Sequence, residues 1–395
     1  MPASHHFAAS PAEVGVDPRK LEALFARAER EVREGLLPSM QVAVARGGKL
    51  AGMRTLGRVT HGGRPAEAGD HTLYVIFSCT KAVTSAAGWI LLQEGKLGLS
   101  ERVADVIPGF GANGKDAVTV EQLFTHTAGF PRAPLPVTAF ADRAARLERF
   151  ARWRLNWEPG SRFEYHPTSS MWVIAELVER RTGLALRDFV RARITEPLGI
   201  ELHVGLPAEH HPRVADIVHV GESITPEEAA RVGWPTLPET EVTEEALQAF
   251  NHPLVREAGV PGGGGITTAG DLALFYQALL HDLAPHDGPR IWQPEALRAA
   301  FEPRTGDLAD PVFGVPANRG LGVVVAGGEG RTVRGFGHGG SPRAFGHNGA
   351  GGQIAWADPE SGISLAWCTN GHDRNFWREA RRSVGISSRA ADLLL

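Results

Sequence analysis

The apolar run Thr72-Leu-Tyr-Val-Ile-Phe77 leads straight into Ser78-Cys79-Thr80-Lys81, and beyond it Val83, Ala86, Ala87, Ile90, Leu91 and Leu92 recur at helical spacing. The pattern predicts a buried helix entered through Ser78. Residues i and i+3 share a helix face, so the Ser78 hydroxyl and the Lys81 amine fall within reach of each other. A serine oxygen is a weak nucleophile until a neighbour takes its proton. Lysine can do so only when desolvation or nearby cations depress its pKa. Arginine cannot replace it, because a guanidinium does not lose its proton at usable pH. Of 41 lysines and arginines only Lys20, Lys49, Lys81, Lys96 and Lys115 are lysine, so Lys81 stands against a strong arginine bias. The first turn of a helix also offers free N–H groups and the positive end of the dipole to an oxyanion.

A nucleophile of this kind needs a second proton-transfer group and donors for the oxyanion. Tyr165, in Phe163-Glu-Tyr-His-Pro167 just before a predicted helix over residues 169–182, is the candidate for the first. The alternative is a tyrosine that anchors a loop through its hydroxyl. Gly346-His-Asn-Gly-Ala-Gly-Gly352, read as a turn before a strand over residues 353–357, is the candidate for the second, since glycines let a substrate approach a strand edge. An ordinary turn between strands remains the alternative. Cys79 is a poor rival for Ser78, because Lys81 is only two residues on and lies off its face.

The chain has 395 residues, 43% of them hydrophobic, and a formal charge of −4, so it can bury two lobes and carries no basic footprint for nucleic acid. Two cysteines, Cys79 and Cys368, make no disulfide framework. With no apolar run long enough to cross a bilayer and no export signal, a cytoplasmic location and no membrane partner are expected. His203, His210, His211 and His219 are too irregularly spaced for a metal site, and no metal is expected.

Residues 17–35 read as an amphipathic helix with Leu21, Leu24, Phe25, Ala28 and Val32 on one face. Residues 41–45 and 50–56 read as strands joined at Gly47-Gly48. The chain is mostly helical from Ser78 to about Gly199. Residues 201–260 are acidic and irregular, interrupted by Pro207, Pro212, Pro226, Pro235, Pro238 and Pro253. A helix over 269–280 then precedes strands over 320–325, 352–357 and 363–369. Sheet-like ends around a helical middle predict an α/β lobe built from residues 1–77 and 261–395, with residues 78–260 inserted as a mainly helical lobe.

Ser78-Cys-Thr-Lys81, Tyr165-His-Pro167 and His347-Asn-Gly349, in this order, resemble the three motifs of the serine β-lactamase and penicillin-binding-protein superfamily. The resemblance is narrower to its class C branch, which includes family VIII carboxylesterases, D-aminopeptidases and acyltransferases. Leu123-Phe-Thr-His-Thr-Ala-Gly129, Glu196-Pro-Leu-Gly199 and Gly263-Gly-Gly-Ile-Thr-Thr-Ala-Gly-Asp271 are similar to further signatures of that family. The resemblance implies a β-lactamase/transpeptidase-like α/β (α+β) fold, an antiparallel sheet flanked by helices with an inserted all-helical lobe. It implies Ser78 as the acylated nucleophile, Lys81 as its base and Tyr165 as a partner in acid and base work. It further implies an oxyanion hole from the N–H groups of Ser78 and Ala350, with His347, Asn348 and Gly349 lining the substrate and no cofactor.

Two departures bear on the substrate. Pro167 stands where the family has an asparagine whose amide holds an acylamino group, and His347 replaces a lysine that would meet a carboxylate. Both point to a carboxylesterase acting on small to medium esters. A β-lactamase, an amide hydrolase such as a D-aminopeptidase, and an acyltransferase share the remaining motifs. A catalytically silent member that binds a ligand or partner is the reading from another class. His126 is expected to fix a loop, Trp153 and Trp157 to pack in the core or wall an acyl pocket, and His338 to lose to His347 as the third-motif residue.

Overall fold

Alternation along the strands puts Val42 and Val44 on one face of a sheet and Ala43 and Ala45 on the other, and this decides what packs where. The computed structural model describes residues 2–231 and 242–395; Pro235 and Pro238 lie outside the described residues. The hairpin forms as expected, Ser39–Arg46 pairing with Lys49–His61, and Gly47 and Gly48 take φ of 60° and 78° at its two-residue turn. In space the seven strands run Arg64–Glu67, Lys49–His61, Ser39–Arg46, Ile363–Thr369, Gln353–Ala357, Phe345–Gly349 and Val324–Val325. Every neighbouring pair is antiparallel. Residues near the two ends of the chain therefore share one sheet, with Met40 opposite Thr369.

The larger side chains Val42, Val44, Ile354, Trp356, Leu365 and Trp367 meet the helices Pro18–Arg33 and Phe376–Ala390. On the other face Ala43, Ala45, Ala355, Ala357 and Ala366 are small, and the helix Ala269–Leu283 packs closely across them. Asp17 caps the first helix by accepting from the N–H groups of Arg19 and Lys20. The helix Thr80–Gln93 is buried from Thr80 through Leu91, between the helices Ser169–Thr182 and Pro294–Phe301. Its indole Trp89 donates to the Leu321 carbonyl at 3.0 Å, and Trp292 donates back to the Ala86 carbonyl at 3.0 Å.

Four details differ from expectation, each for a backbone reason. Ser78 sits in a 3₁₀ turn, Phe77–Cys79, ahead of the helix proper, and Phe77 carries a φ of 43°, unusual for a residue with a side chain. The strand expected over 320–325 shrinks to Val324–Val325, since Gly322 reverses the chain at φ 78°. The glycine-rich segment before Gln353 is itself a strand through Gly349, followed by a 3₁₀ turn at Ala350–Gly352. Pro226 and Pro253 interrupt nothing: each occupies the first position of a short helix, where its missing N–H costs no bond. Short strands also form within this irregular segment, Leu202–Val204 beside Gly265–Thr267 and Val218–Val220 parallel to Gly371–Asp373. No helix among the described residues is long and apolar enough to cross a membrane.

Arg382 fastens the outer helical layer. Only 1% exposed, it donates from Nε to Glu31 at 2.7 Å and from Nη2 to Asp373 at 3.0 Å. Glu31 keeps Arg27 and Asp373 keeps Arg378 as second partners. Arg382→Met is therefore expected to cost roughly 2 kcal/mol, short of the ~3–5 kcal/mol of a fully stranded buried charge. A urea titration monitored by tryptophan fluorescence measures it, and an unchanged midpoint would refute this role.

Candidate active site

Lys81 lies in the first turn of its helix with no side-chain exposure, and its amine has three oxygen neighbours. Nζ is 2.7 Å from the Pro167 carbonyl, 2.8 Å from the Gly262 carbonyl and 3.2 Å from Ser78 Oγ. Carbonyls only accept, so they take two N–H bonds and leave the third direction facing the serine hydroxyl. In the neutral amine that direction holds the lone pair. Burial first, and the Arg319 cation second, hold the Lys81 pKa well below its ordinary value. Gly262 is required here, because a Cβ would come within 2.8 Å of the Pro167 oxygen and 3.4 Å of Nζ.

Tyr165 is placed by its neighbours' backbone. His126, at φ 59°, accepts the His166 N–H on Nδ1 at 3.2 Å, and its carbonyl accepts the Glu164 N–H at 3.3 Å. His166 in turn donates from Nδ1 to the Glu164 carbonyl at 2.7 Å and accepts the Phe130 N–H on Nε2 at 3.3 Å. The loop-fixing expected of His126 thus has a geometric form. The Tyr165 ring centroid is 4.9 Å from Lys81 Nζ, 4.8 Å from the His126 ring and 6.0 Å from the His347 ring. Its hydroxyl is buried without a hydrogen bond of ordinary geometry. Burial raises the phenol to about 12, opposed by the nearby Ser78 hydroxyl and the Arg319 charge.

The strand Phe345–Gly349 closes the other side. Cys79 Sγ donates to the His347 carbonyl at 3.1 Å, and a Cβ on Gly349 would come within 2.5 Å of the Ile76 carbonyl. The strand therefore lies directly against the nucleophile turn, which brings Ala350 to the same end of the site. Cys79 is fully buried and burial raises its thiol well above the ordinary value, so it stays protonated. His347 is 4% exposed and its Nδ1 is 2.6 Å from the Asn348 carbonyl. A carbonyl partner requires Nδ1–H, so Nε2 carries a lone pair, buried and without a partner. Burial, Arg319 and Lys81 together keep the ring far below its usual pKa. Where a lysine would donate, this position accepts. Asn348 is exposed beside it, and His338 is exposed elsewhere, its N–H bonded to Ser388.

Three participants were not singled out from the sequence: the Pro167 and Gly262 carbonyls, and Arg319. Backbone acceptors have no side-chain signature. The Arg319 guanidinium sits 5.3 Å from the Tyr165 ring centroid and 5.3 Å from that of Phe163. Trp153 is core, stacked on Phe130 and donating to the Pro134 carbonyl at 2.9 Å. Among the described residues one trio of side chains is close enough to chelate, His281, Asp282 and His286. His286 Nδ1 accepts the Gly288 N–H at 3.0 Å, so Nε2 keeps its proton towards Asp282 and has no lone pair for an ion.

A family model described as Beta-lactamase matches residues 25–386. The Esterase/beta-lactamase LipL of Mycobacterium tuberculosis is 28% identical over 315 residues, covering 75% of this chain and 68% of that protein. A penicillin-binding protein homologue from Caulobacter crescentus superposes with a TM-score of 0.75 at 29% identity, over 95% of this chain and 99% of the other. A family VIII carboxylesterase superposes with a TM-score of 0.77 over 95% and 99% of the two chains; at 24% identity this is a likeness of fold.

Four buried imidazoles, His126, His166, His347 and His372, are held neutral chiefly by desolvation, His166 and His372 down to about 3. Below the ordinary imidazole pKa the unfolded chain binds protons that these rings refuse, so stability falls as pH drops from about 6.5 towards the folded values. Each contributes up to about 1.4 kcal/mol per pH unit. Glu379, raised by burial to about 7, acts in the opposite sense, as do the raised Glu179 and Asp271 more weakly. The net expectation is a lower unfolding free energy at pH 5 than at pH 7 by urea titration, with a shallower fall in His372→Asn. A free energy that held steady or rose on acidification would contradict it.

Proposed function

The chain belongs to the beta-lactamase family, and from that premise we propose that it is a serine carboxylesterase working through an acyl-enzyme on Ser78. One observation carries the reading: Lys81 is desolvated, gives its N–H bonds to two carbonyls and turns its remaining direction to the Ser78 hydroxyl. Ser78 Oγ attacks the ester carbonyl while its proton passes to the Lys81 lone pair. The oxyanion is met by the N–H groups of Ser78 and Ala350, and losing one such donor typically costs ~3 kcal/mol in the barrier. The proton then moves from Lys81 through the Tyr165 hydroxyl to the leaving alkoxide, and the alcohol departs. Water enters, yields a proton back through Tyr165 to Lys81, and its oxygen attacks the acyl carbon. Collapse of that intermediate returns the proton to Ser78 and frees the acid.

The ester preference rests on what the second and third motifs present. Pro167 has no side-chain amide for an acylamino group, and its carbonyl is committed to Lys81. His347 presents an acceptor, Nε2, that suits a hydroxyl proton such as that of Tyr165 or a departing alcohol, and repels a carboxylate. Asn348 and Gly349 border the same space and are assigned to substrate contact. LipL, named as both esterase and beta-lactamase, supports an acyl-transfer chemistry that tolerates either carbonyl. A silent binding protein would have no use for a lysine desolvated beside a serine.

With p-nitrophenyl butyrate, Ser78→Ala is expected to lower kcat/KM by about 10³-fold or more, and Lys81→Met similarly. A fluorophosphonate should add its mass to Ser78 in the unmodified protein. Turnover that survives Ser78→Ala would reject this nucleophile. A chromogenic cephalosporin cleaved with a higher kcat/KM than the butyrate would overturn the ester reading while leaving the acyl-enzyme intact.

A further inference from the structure

We propose that Arg319 is a positioning residue of this site, whose guanidinium shares the Tyr165 ring with the Lys81 amine and biases the proton exchange between those two groups. The inference rests on the acyl-enzyme reading above and adds a residue that none of the three motifs contains. Arg319 arrives from the connection that leads into Val324–Val325, just before Gly322 turns the chain. Gly320 leaves no room for drift, since a Cβ there would lie 2.2 Å from the Ala300 carbonyl. The Arg319 backbone is fixed on both sides, its N–H donating to Thr305 Oγ1 at 3.2 Å and its carbonyl accepting from the Arg304 N–H at 2.7 Å.

Its side chain is placed in an unusual way. The guanidinium lies 5.3 Å from the centroids of both Tyr165 and Phe163, while Nε and Nη1 are buried with no hydrogen-bond partner among the described residues. Arg319 as a residue is half-buried, but these two nitrogens are cut off from water, and desolvated donors without an acceptor lower stability. Such a group in a native fold calls for a reason outside folding. The neighbours exclude the ordinary one. The Arg319 charge acts on Lys81 from the nucleophile segment, His126 and Tyr165 from the adjoining loops, His347 from the strand and the Arg334 cation. None is an anion at neutral pH. Among the described residues the carboxylate whose charge acts on Arg319 is Asp310, on its own connection, and its Oδ1 accepts the Val312 N–H at 2.9 Å.

A fixed positive charge beside two proton carriers affects them in opposite directions. It opposes protonation of Lys81, and it favours the phenolate of Tyr165 over the phenol. Both effects serve the same step: the amine is kept free to take the serine proton and then gives it up readily to the phenol side. The cation–π contact on Tyr165 also holds the ring in place, so one group sets the orientation and the proton balance together.

The experiment is the pH profile of kcat/KM for p-nitrophenyl butyrate, with the rate of fluorophosphonate labelling of Ser78 against pH as a second readout, in the full chain and in Arg319→Met, Arg319→Gln and Arg319→Lys. In the neutral variants the acidic limb, where Lys81 must lose its proton, should move up by about one pH unit or more in both readouts. Arg319→Lys should stay near the parent. The melting temperature of Arg319→Met should equal or exceed that of the parent, since two desolvated donors without acceptors are gone. If Arg319→Met does not fold, Arg319→Gln, which can still hydrogen-bond, carries the same test. An unmoved limb in the neutral variants, whatever their rates, would overturn the proposal and leave Arg319 a structural residue. An unmoved limb together with lost selectivity for an ester bearing a carboxylate, p-nitrophenyl hemiglutarate against butyrate, would overturn it in favour of direct substrate binding. Absence of labelling in the unmodified protein would instead bring down the acyl-enzyme reading on which this rests.

Discussion

An amine with no access to water, held by two backbone carbonyls against a serine hydroxyl, is the constraint around which the rest is organised. To keep Lys81 there the fold must bury the whole first turn of its helix and bring two separate loops, at Pro167 and Gly262, to within hydrogen-bond distance of one atom. The glycine run 261–265 makes that approach possible. Thr84 Oγ1 donates to the Pro261 carbonyl at 2.7 Å and Thr80 Oγ1 accepts the Gly265 N–H at 2.8 Å, so the helix itself pins the run that supplies the second carbonyl. The desolvation cost is large, and no carboxylate among the described residues is set against it. What holds the arrangement is packing in the surrounding core, where Trp89, Ile90 and Leu91 are fully buried.

The same economy governs the titratable groups. Around Tyr165 lie a lysine, an arginine and three histidines, yet the histidines are neutral and the lysine is held towards neutrality, which leaves Arg319 as the fixed charge. Tautomers are set by backbone partners: carbonyls claim Nδ1–H of His347 and His166, and an N–H claims Nδ1 of His126. Each ring therefore presents a defined donor or acceptor on its far side, fixed before any substrate arrives.

How much of this was readable from the residues alone depends on what carried the information. Side chains spaced along one element were legible: Ser78 and Lys81 by their helical offset, the hairpin by Gly47-Gly48, the amphipathic helix by its apolar stripe. Tyr165 and the glycine-rich segment holding His347 were legible as candidates with bland alternatives, and the resembling pattern alone joined them to Ser78, because nothing local links them to it. The strand character of His347–Gly349 was hidden by its glycines, which read as a turn yet serve a close passage under the Ile76 carbonyl. Arg319 was hidden in a different way. In a chain with so many arginines one more draws no notice, and its significance lies in two buried nitrogens that find no acceptor among the described residues, which only three dimensions reveal.

The sheet has one further consequence, for how the molecule comes into being. Ser39–Arg46, among the earliest strands to be made, finds its second neighbour only in Ile363–Thr369. While the ribosome works through everything between, the emerging hairpin has an open edge, and its valine face has only the helix Pro18–Arg33 to pack against. The sheet therefore closes through contacts remote in sequence, the kind that form slowly and leave an unpaired edge open to wrong partners in the meantime.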